Sequence, residues 1–176
     1  MATRSRTRPN ILVTGTPGTG KTVTAELIAE RCDLRRVDVT SLVVEHECHE
    51  GRDEELDTLV LDEEKLVGVL EEELQGGGRI VDYHSCGFFP DTWFDLVLVL
   101  GAETHVLFDR LVARGYSERK VEVNVECEIF KVCLEEAREA FDEVQDLASN
   151  SVEDLETNVQ RTQQWFEAWM HNNGRD

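Results

Sequence analysis

Residues 15–22 read GTPGTGKT and match the phosphate-binding pattern G-x-x-x-x-G-K-[ST] at every fixed position. Glycines in such a loop let backbone N–H groups turn inward around phosphate oxygens, and a following helix adds its positive N-terminal dipole. In this pattern Lys21 can reach the β- and γ-phosphates, and the Thr22 hydroxyl can bind Mg²⁺. The residues that we expect to contact a nucleoside triphosphate are Gly15, Pro17, Gly18, Thr19, Gly20, Lys21 and Thr22.

An apolar run at residues 10–14 precedes this loop, and residues 23–29 can follow it as a helix. A chance glycine-rich turn is the alternative, and the flanking strand and helix patterns disfavour it. The loop alone does not say whether the γ-phosphate goes to water, to a protein or to another nucleotide. That choice depends on the rest of the chain.

A carboxylate suited to the metal is Asp82, at the end of the predicted strand 79–82. A parallel sheet binds ligands at the carboxyl ends of its strands, and Mg²⁺ prefers oxygen ligands. His84 follows two residues later, on the same side of an extended chain, where it could position a water or carry a proton. The alternative for His84 is an ordinary hydrogen-bonded loop histidine.

Phosphoryl transfer also needs cations for the charge that develops on the γ-phosphoryl group. Arg110 and Arg114 are four residues apart on one helix face, and Arg119 and Lys120 follow them in an otherwise acidic chain. The sequence Arg-Gly-Tyr-Ser at 114–117 interrupts the helix, as a mobile cover over the site requires. Solvated surface arginines are the alternative interpretation.

The elements that must position these side chains alternate along the chain. Strand patterns occur at 11–14, 37–39, 79–83 and 95–100, and helical apolar spacing occurs at 23–32, 62–75, 104–113, 122–147 and 151–171. Ser151 with Asp154 matches an N-terminal cap, and the aromatic residues of the last helix are expected to pack against the core. Strands that alternate with helices predict an α/β fold with a parallel sheet flanked by helices.

Composition narrows the class of protein. The chain has 176 residues, 40% hydrophobic and 31% charged, with a net charge of −19. Such an acidic chain is not typical of a bulk nucleic-acid binder, whereas it suits a basic protein partner or simply keeps the protein soluble. No run is long and apolar enough for a membrane span, so we expect no direct membrane contact. Residues 1–10, with Arg4, Arg6 and Arg8, lack the apolar segment of a secretory signal and are expected to be a frayed tail.

The cysteine pattern favours a reducing compartment. The chain has five cysteines and no C-x-x-C pair, so an odd thiol is left over in any disulfide scheme. His46, Cys48 and His49 lie close together in the sequence, but no second ligand pair follows at zinc spacing. We therefore expect no structural metal.

Three stretches together resemble one family. They are GTPGTGKT, DYHSCGFFPDTWFDLVLVL at 82–100 and RLVARGYSERKVEVNVECEIF at 110–130, and SNSVEDLETNVQRTQQWFEAW at 149–169 extends the likeness. With these motifs the chain resembles the adenylate kinase isoenzyme 6 family, also called coilin-interacting nuclear ATPase proteins. The resemblance implies one P-loop nucleoside monophosphate kinase domain over 1–176. Its core would comprise 9–36, 76–109 and 122–171, with a monophosphate-binding arm at about 37–64 and a short lid at about 110–121.

The resemblance also implies an activity and its residues. The implied reactions are Mg²⁺-ATP-dependent adenylate kinase activity, ATP + AMP to 2 ADP, and ATP hydrolysis. The active protein would be a monomer. Its catalytic residues would be Lys21, Asp82, His84, Arg110 and Arg114, with Arg114 also binding ATP and with Thr22 and Asp82 binding the metal. A further implication is maturation of the small ribosomal subunit through the basic ribosomal protein uS11, in nucleus and cytoplasm.

The chain departs from the family pattern on the acceptor side. Val44 stands where the family has an arginine that holds the AMP phosphate, and Gly101 stands where it has another after the strand. Losing one charge-assisted contact costs on the order of 1–3 kcal/mol of binding free energy. The acceptor site is therefore expected to be weakened, with Arg52 as a candidate substitute. An ATP-switched assembly factor remains an alternative, and a shikimate-type metabolite kinase would share the loop but not the other motifs.

Overall fold

The structure, a computed structural model, describes residues 6–173. In chain order its strands are β1 (Ile11–Gly15), β2 (Arg35–Asp38), β3 (His49–Asp53), β4 (Thr58–Leu61), β5 (Arg79–Asp82), β6 (Leu96–Gly101) and β7 (Val144–Ala148). Its α-helices are α1 (Lys21–Cys32), α2 (Val39–Glu45), α3 (Glu63–Gln75), α4 (Thr104–Ala113), α5 (Glu118–Ile129), α6 (Val132–Ala140) and α7 (Val152–Asn173). Strands β2, β5, β1, β6 and β7 lie side by side in that order, all parallel, whereas β3 and β4 form a separate antiparallel hairpin.

The central strands are buried on both faces, as in parallel sheets covered by helices. Leu12 and its neighbours on one face pack against α3 and α6, whereas Ile11 and Val13 on the other face pack against α1 and α7. Successive strand residues point to opposite faces, so an uninterrupted apolar run such as β1 supplies both halves of the core. The predicted α/β fold with a parallel sheet is confirmed.

The carboxyl ends of four parallel strands meet at one edge of this sheet. The glycine-rich loop follows β1, the segment with His84 follows β5, Ala102 follows β6 and Ser149 follows β7. Ligands of open α/β sheets bind at this edge. Residues far apart in the sequence are thereby brought around the loop.

The structure of α7 agrees with two predictions made from its sequence, the N-terminal cap and the packing of its aromatic residues. The predicted cap is confirmed, because the Asp154 N–H donates to Ser151 Oγ at 3.1 Å. Trp165 and Phe166 pack against the core beneath α1, as expected from their spacing. Within residues 6–173, no helix is both long and apolar enough to cross a membrane.

The region 122–147 does not form the single helix that its apolar stripe predicts. Helix α5 ends at Ile129, and Lys131 adopts a left-handed conformation with φ 55° before α6 begins. Phe141 is extended, and β7 then pairs with β6 at the edge of the sheet. The spacing of apolar residues continues across all three elements, so periodicity alone could not reveal the break or the strand.

The N-terminal segment is also more ordered than predicted. The Arg6 guanidinium donates to the carbonyl oxygens of Thr92 and Trp93, each at 2.6 Å, and Arg8 donates to those of Cys32 and Asp33 at 2.7 Å. These bonds fasten the segment across the ends of the sheet, so the expectation of a frayed tail is wrong from Arg6 onward. Arg4 lies outside the described residues.

Candidate functional site

The glycine-rich loop between β1 and α1 depends on backbone conformations that side chains would obstruct. Gly15 has φ 147°, and a Cβ there would lie 2.5 Å from the Leu100 carbonyl oxygen. Gly20 has φ 90° and immediately precedes α1, whose first turn has no acidic residue. The helix therefore presents free N–H groups and a positive dipole end with no carboxylate of its own to compete for them, which suits a phosphate.

A buried carboxylate holds the second residue of the loop. Thr16 Oγ1 donates to Glu128 Oε2 at 2.7 Å, while Glu128 Oε1 accepts from the Ala102 N–H at 3.1 Å. Lys131 Nζ lies 3.2 Å from the same oxygen and neutralises the carboxylate, which is 5% exposed. Because charge-assisted bonds to buried groups are among the stronger ones, Glu128 ties α5 to both the loop and the end of β6.

A second set of bonds holds the far side of the loop. Ser149 Oγ donates to the Thr19 carbonyl at 2.6 Å, and the Arg110 guanidinium donates to the Ser149 carbonyl at 2.7 Å and to that of Gly18 at 3.3 Å. Arg110 thus spans from α4 to the loop and to the residue after β7. Its guanidinium binds backbone carbonyl oxygens here rather than facing the pocket.

Lys21 is held inside the loop by its own backbone. Its Nζ donates to the carbonyl oxygens of Gly15 at 2.8 Å and Thr16 at 3.1 Å. The pKa of Lys21 is lowered to about 8, chiefly by desolvation and further by the charge of Arg114, while Cys133 and nearby carboxylates act in the opposite direction. Most molecules still carry the cation at pH 7, directly beneath the place for phosphate.

Thr22 and Asp82 bring two oxygens together at the end of the loop. Thr22 Oγ1 donates to Asp82 Oδ2 at 3.3 Å, and a hydroxyl with a carboxylate is a ligand pair that suits Mg²⁺. The carboxylate is also paired with Arg36, whose Nε and one terminal nitrogen donate to its two oxygens at 2.8 and 3.2 Å. Thr22 and Asp82 therefore fit a magnesium ion, although the Arg36 guanidinium already pairs with the same carboxylate.

His84 faces the same pocket and is uncharged at neutral pH. Desolvation by the pocket walls, and then the charges of Lys21 and Lys120, lower the pKa of His84 to about 4. Its ring lies 4.4 Å from that of Tyr83, and its carbonyl oxygen accepts from the Cys133 thiol at 3.5 Å. A neutral imidazole can accept a proton from water or position it.

Lys21, Thr22, Asp82 and His84 line a single cavity of about 710 Å³, a size that suits a nucleotide. Among the residues that line it, the cations are Lys21 at the start of α1, Arg114 just after α4 and Lys120 in the first turn of α5. The helices α5 and α6 add a wall that includes Asn124, Cys133 and Glu136. The cavity therefore has one strongly cationic end at the loop.

The first turn of α5 touches the turn of the β3–β4 hairpin, and both segments line this cavity. Arg119 Nε donates to Glu55 Oε1 at 3.3 Å, and Lys120 Nζ donates to the Asp57 carbonyl at 3.1 Å. Gly115, with φ 76°, provides the turn after α4. These two bonds join the hairpin to the start of α5 beside the cavity.

Comparisons with known proteins agree with this geometry. The sequence profile of the AAA domain matches residues 11–131. The adenylate kinase isoenzyme 6 homolog of Dictyostelium discoideum is 43% identical over 96% of this chain and 97% of its own length. The homolog of Schizosaccharomyces pombe is 44% identical over 98% of this chain and 99% of its own length. That of Caenorhabditis elegans is 47% identical over 92% of this chain and 91% of its own length. The chain belongs to the adenylate kinase isoenzyme 6 family.

Solved structures give the same fold for this member of the family. Shikimate kinase from Acinetobacter baumannii, in complex with shikimate, superimposes with a TM-score of 0.65 at 14% identity, over 92% of this chain and 94% of that one. Shikimate kinase from Bacteroides thetaiotaomicron superimposes with a TM-score of 0.59 at 18% identity, over 90% of this chain and 98% of that one. At such identities the likeness shows the P-loop kinase fold alone. With the family relatives, it makes the chain a P-loop kinase or ATPase.

The structure brings most of the predicted site residues of this isoenzyme 6 family member together. Lys21, Thr22, Asp82, His84 and Arg114 all line the cavity, as do several glycine-loop residues. Arg110 does not, because its guanidinium is bound to the backbone behind the loop. Their catalytic and metal-binding roles stay predictions.

The two positions that depart from the family pattern, Val44 and Gly101, do not line the cavity. Val44 is 60% exposed on α2 and does not line the cavity, and neither does Arg52, which pairs with Asp57. A Cβ on Gly101 would lie 3.1 Å from Glu128 Oε1 and 3.2 Å from Lys131 Nζ. Lys131 therefore occupies the space that a side chain at Gly101 would need. The arm contributes Thr40, Leu56 and Thr58 to the cavity instead of a cation.

Sequence reasoning missed four residues that shape the site. Glu128, Ser149 and Arg36 bind the loop or its carboxylate, and Glu136 Oε1 accepts from the N–H of Gly87 at 2.8 Å and from Ser85 Oγ at 3.1 Å. Each looks like an ordinary polar residue in the sequence. Only Glu128 carried a signal that could have been recognised in the sequence, because a charged residue within the apolar stripe of a helix indicates a buried and paired carboxylate.

Proposed function

We propose that this chain transfers the γ-phosphoryl group of Mg²⁺-ATP to AMP, giving two ADP, and that it also hydrolyses ATP. The observation that supports this most is the convergence of the glycine-rich loop, Lys21 and Arg114 on one cavity beside the Thr22–Asp82 oxygen pair. In the transfer, the bond from the γ-phosphorus to the β–γ bridging oxygen breaks. A bond to an oxygen of the AMP phosphate, or of water, forms on the opposite side.

The residues of the chain would contribute binding, charge and exclusion of water. The N–H groups of the loop and the start of α1 would bind the phosphates, and Lys21 and Arg114 would neutralise the charge on the γ-phosphoryl group. Thr22 and Asp82 would hold Mg²⁺, which supplies further charge neutralisation on the phosphate oxygens when it is bound. The segment with Arg114 and Lys120 would cover the phosphates and limit the access of water.

His84 is suited to the acceptor rather than to the donor phosphate. Its pKa of about 4 leaves the imidazole neutral at pH 7, so it can accept a hydrogen bond from the attacking water without adding positive charge. It lies one residue from Ser85, whose hydroxyl is fixed by Glu136. We expect His84 to affect hydrolysis and transfer to AMP differently, because AMP presents a phosphate oxygen with no proton to remove.

The test separates the two acceptors by their products. ADP and free phosphate are measured in parallel with Mg²⁺-ATP, with and without AMP. Transfer to AMP gives ADP without phosphate, whereas hydrolysis gives one phosphate for each ADP. We expect AMP to accelerate ADP formation in the wild type and both reactions to be lost in Lys21→Ala. If AMP leaves the ADP rate unchanged while phosphate is released, the kinase half of the proposal is wrong.

A second candidate function is an ATP-switched assembly factor for the small ribosomal subunit, acting in nucleus and cytoplasm. The observations that favour it are the net charge of −19, which suits a basic ribosomal protein such as uS11, and the lack of an arm cation in the acceptor half. Purified ribosomal protein should bind the chain with an affinity that changes with ATP in the wild type but not in Lys21→Ala. Binding that is indifferent to nucleotide would count against this function.

A further inference from the structure

An open groove of about 870 Å³ lies between α4 and α5, on the side of α5 away from the nucleotide cavity. Its apolar lining comes from both helices and the turn between them: Phe108, Val112, Tyr116, Val121, Val125 and Ile129. Phe108, Val112 and Ile129 are 49%, 52% and 57% exposed. Large apolar side chains gathered in a single groove, rather than scattered singly, are typical of a binding surface.

Helix α5 separates this groove from the nucleotide cavity. Val123, Asn124 and Cys127 line the cavity, whereas Glu122, Val125 and Ile129 line the groove. These two sets lie on different faces of one helix, because residues three and four apart share a face. The groove and the cavity share Tyr116 but otherwise use different faces of α5, and what binds in the groove does not depend on the proposed phosphoryl transfer.

The rim of the groove is acidic. Glu118, Glu122 and Glu126 recur at every fourth position of α5, which places them in a row along one edge. Arg119 is the cation among the lining residues, and it is already paired with Glu55 and Glu122. The groove thus joins an apolar floor to negative charge that has little compensation nearby.

This charge selects among the possible occupants. A second copy of the chain would bring one acidic rim, on a molecule of net charge −19, against another, and like charges in contact oppose association. A nucleic acid or an anionic membrane would be repelled for the same reason. A basic segment of a different protein is attracted to it.

The dimensions favour a helix. Helices α4 and α5 have 10 and 12 residues, so the groove between them extends for about 15–18 Å, or roughly three helical turns. An amphipathic helix placed in such a groove presents apolar anchors at i, i+3, i+4 and i+7. We propose that the α4–α5 groove binds a basic amphipathic helix of a partner protein, with its apolar face on Val112 and Ile129 and its lysines or arginines against Glu118, Glu122 and Glu126.

The experiment uses the full chain and a fluorescein-labelled helical peptide of about 18 residues, five turns long. Leucines at i, i+3, i+4 and i+7 form one face of the peptide, and lysines fill the other positions. A second peptide has the same composition in an order that leaves no apolar face. Fluorescence anisotropy is measured at about 0.15 M salt, where charges more than about 8 Å apart are screened.

We expect saturable binding of the amphipathic peptide and weakening by about tenfold or more in Val112→Asp and in Ile129→Asp. The matched control is Val152→Asp, which changes a valine that is 72% exposed at the start of α7 and should leave binding unchanged. Replacing Glu118 and Glu126 by glutamine should weaken binding more than replacing Glu153 and Glu156 of α7, because only the first pair lies on the rim.

Three outcomes would overturn the proposal. Equal binding of the two peptides would show attraction by charge alone, with no role for an apolar groove. Unchanged binding in both aspartate variants, with melting temperatures equal to that of the wild type, would place the peptide elsewhere. A wild-type dimer in sedimentation equilibrium that Ile129→Asp converts to a monomer would make a second copy the occupant.

Discussion

The two ends of the nucleotide cavity are built very differently. At the phosphate loop, Glu128 accepts from the Thr16 hydroxyl and Ser149 and Arg110 donate to backbone carbonyl oxygens, through bonds of 2.6 to 3.3 Å. At the arm, the cavity is lined by Thr40, Leu56 and Thr58, whereas the nearby Val44 and Arg52 do not line it. The first end is fixed by the buried core, whereas the second rests on a hairpin whose strands are largely exposed.

This contrast separates the two halves of a phosphotransferase. A preorganised cationic loop stabilises developing charge without rearrangement at the moment of reaction, whichever acceptor is used. Under the proposed function, the acceptor half would decide between water and AMP, and the arm residues that line the cavity lack the fork that an arginine offers to a phosphate. We therefore expect substitutions at the loop to lower both reactions together, and substitutions at the arm to change only the balance between them.

The largest effect is expected for Lys21→Met, which removes the cation from the loop while keeping an apolar chain of similar length. Loss of one preorganised group that contacts developing charge lowers kcat by roughly 10²- to 10³-fold. The measurement is kcat for ADP formation and for phosphate release. Both should fall by the same factor, with an unchanged melting curve as the control. A fall confined to the AMP reaction would contradict the division between the two ends.

The next effect concerns Glu128→Ala, which removes the acceptor for Thr16 and Ala102. Leaving buried donors unpaired should lower the free energy of unfolding by about 1–3 kcal/mol. It should also weaken ATP binding about tenfold, since the loop loses its support. Urea unfolding and ATP titration measure the two effects. The control is Glu126→Ala on the exposed face of α5, which should change neither.

Glu128→Gln distinguishes an effect of charge from one of hydrogen bonding. Its amide oxygen can still accept from one donor, but Lys131 loses its charged partner. The Lys131 side chain is 49% exposed, so its ammonium group can return to water. We expect ATP affinity between those of the wild type and the alanine variant. Full recovery in the glutamine variant would mean that the charge of Glu128 is unimportant for the loop.

These two ends also differ in how far the sequence predicts them. The loop was predictable because its conformation depends on eight consecutive residues, with glycines where φ is positive. Its supports were not, because Thr16 and Glu128 are separated by 112 positions and Thr19 and Ser149 by 130. Only the folded sheet brings those partners together.

Strands β3, β4 and β7 were not predicted from the sequence, for a related reason. Strand β7 has intermediate burial at its start and lies at an edge, so it lacks the apolar run that marks β1 and β6. The strands of the hairpin carry exposed polar residues, and β3 reads HEGRD. Strand signals depend on burial of one face, and these strands bury little. The arm was therefore located by resemblance rather than by its residues.

A pH effect of intermediate size should appear at the loop end. Since the pKa of Lys21 is lowered to about 8, the fraction of free protein that carries this cation falls as the pH rises through 8. Binding of ATP should therefore weaken above pH 8, by at most about tenfold for each pH unit. Below pH 8 the affinity should level off until ATP itself is protonated. Titrations from pH 7 to pH 9.5 measure this.

The Lys21→Arg variant is the control for the assignment, because an arginine stays charged over this whole range. Its affinity for ATP should be lower overall but flat between pH 7 and pH 9.5. If the inflection near pH 8 persists in Lys21→Arg, another group is responsible for it.

The smallest effect is expected at the arm, for Val44→Arg. Val44 lies one helical turn after Thr40, which lines the cavity, so an arginine there shares a face with the acceptor side. The new side chain is long enough to reach a phosphate but starts from a residue that is 60% exposed, where ion pairs are weak. We expect the KM for AMP to fall by about fivefold, which corresponds to the lower end of the binding free energy of one charge-assisted contact. Phosphate release from ATP alone should be unchanged.

The matched control is His46→Arg, which adds an arginine at the end of the same helix, two residues away and on another face. It should leave the KM for AMP near the wild-type value. An equal gain in both variants would show a general effect of positive charge on an acidic protein. No gain in Val44→Arg would mean that AMP binds elsewhere, or that Arg114 and Lys120 already hold its phosphate from the opposite side of the cavity.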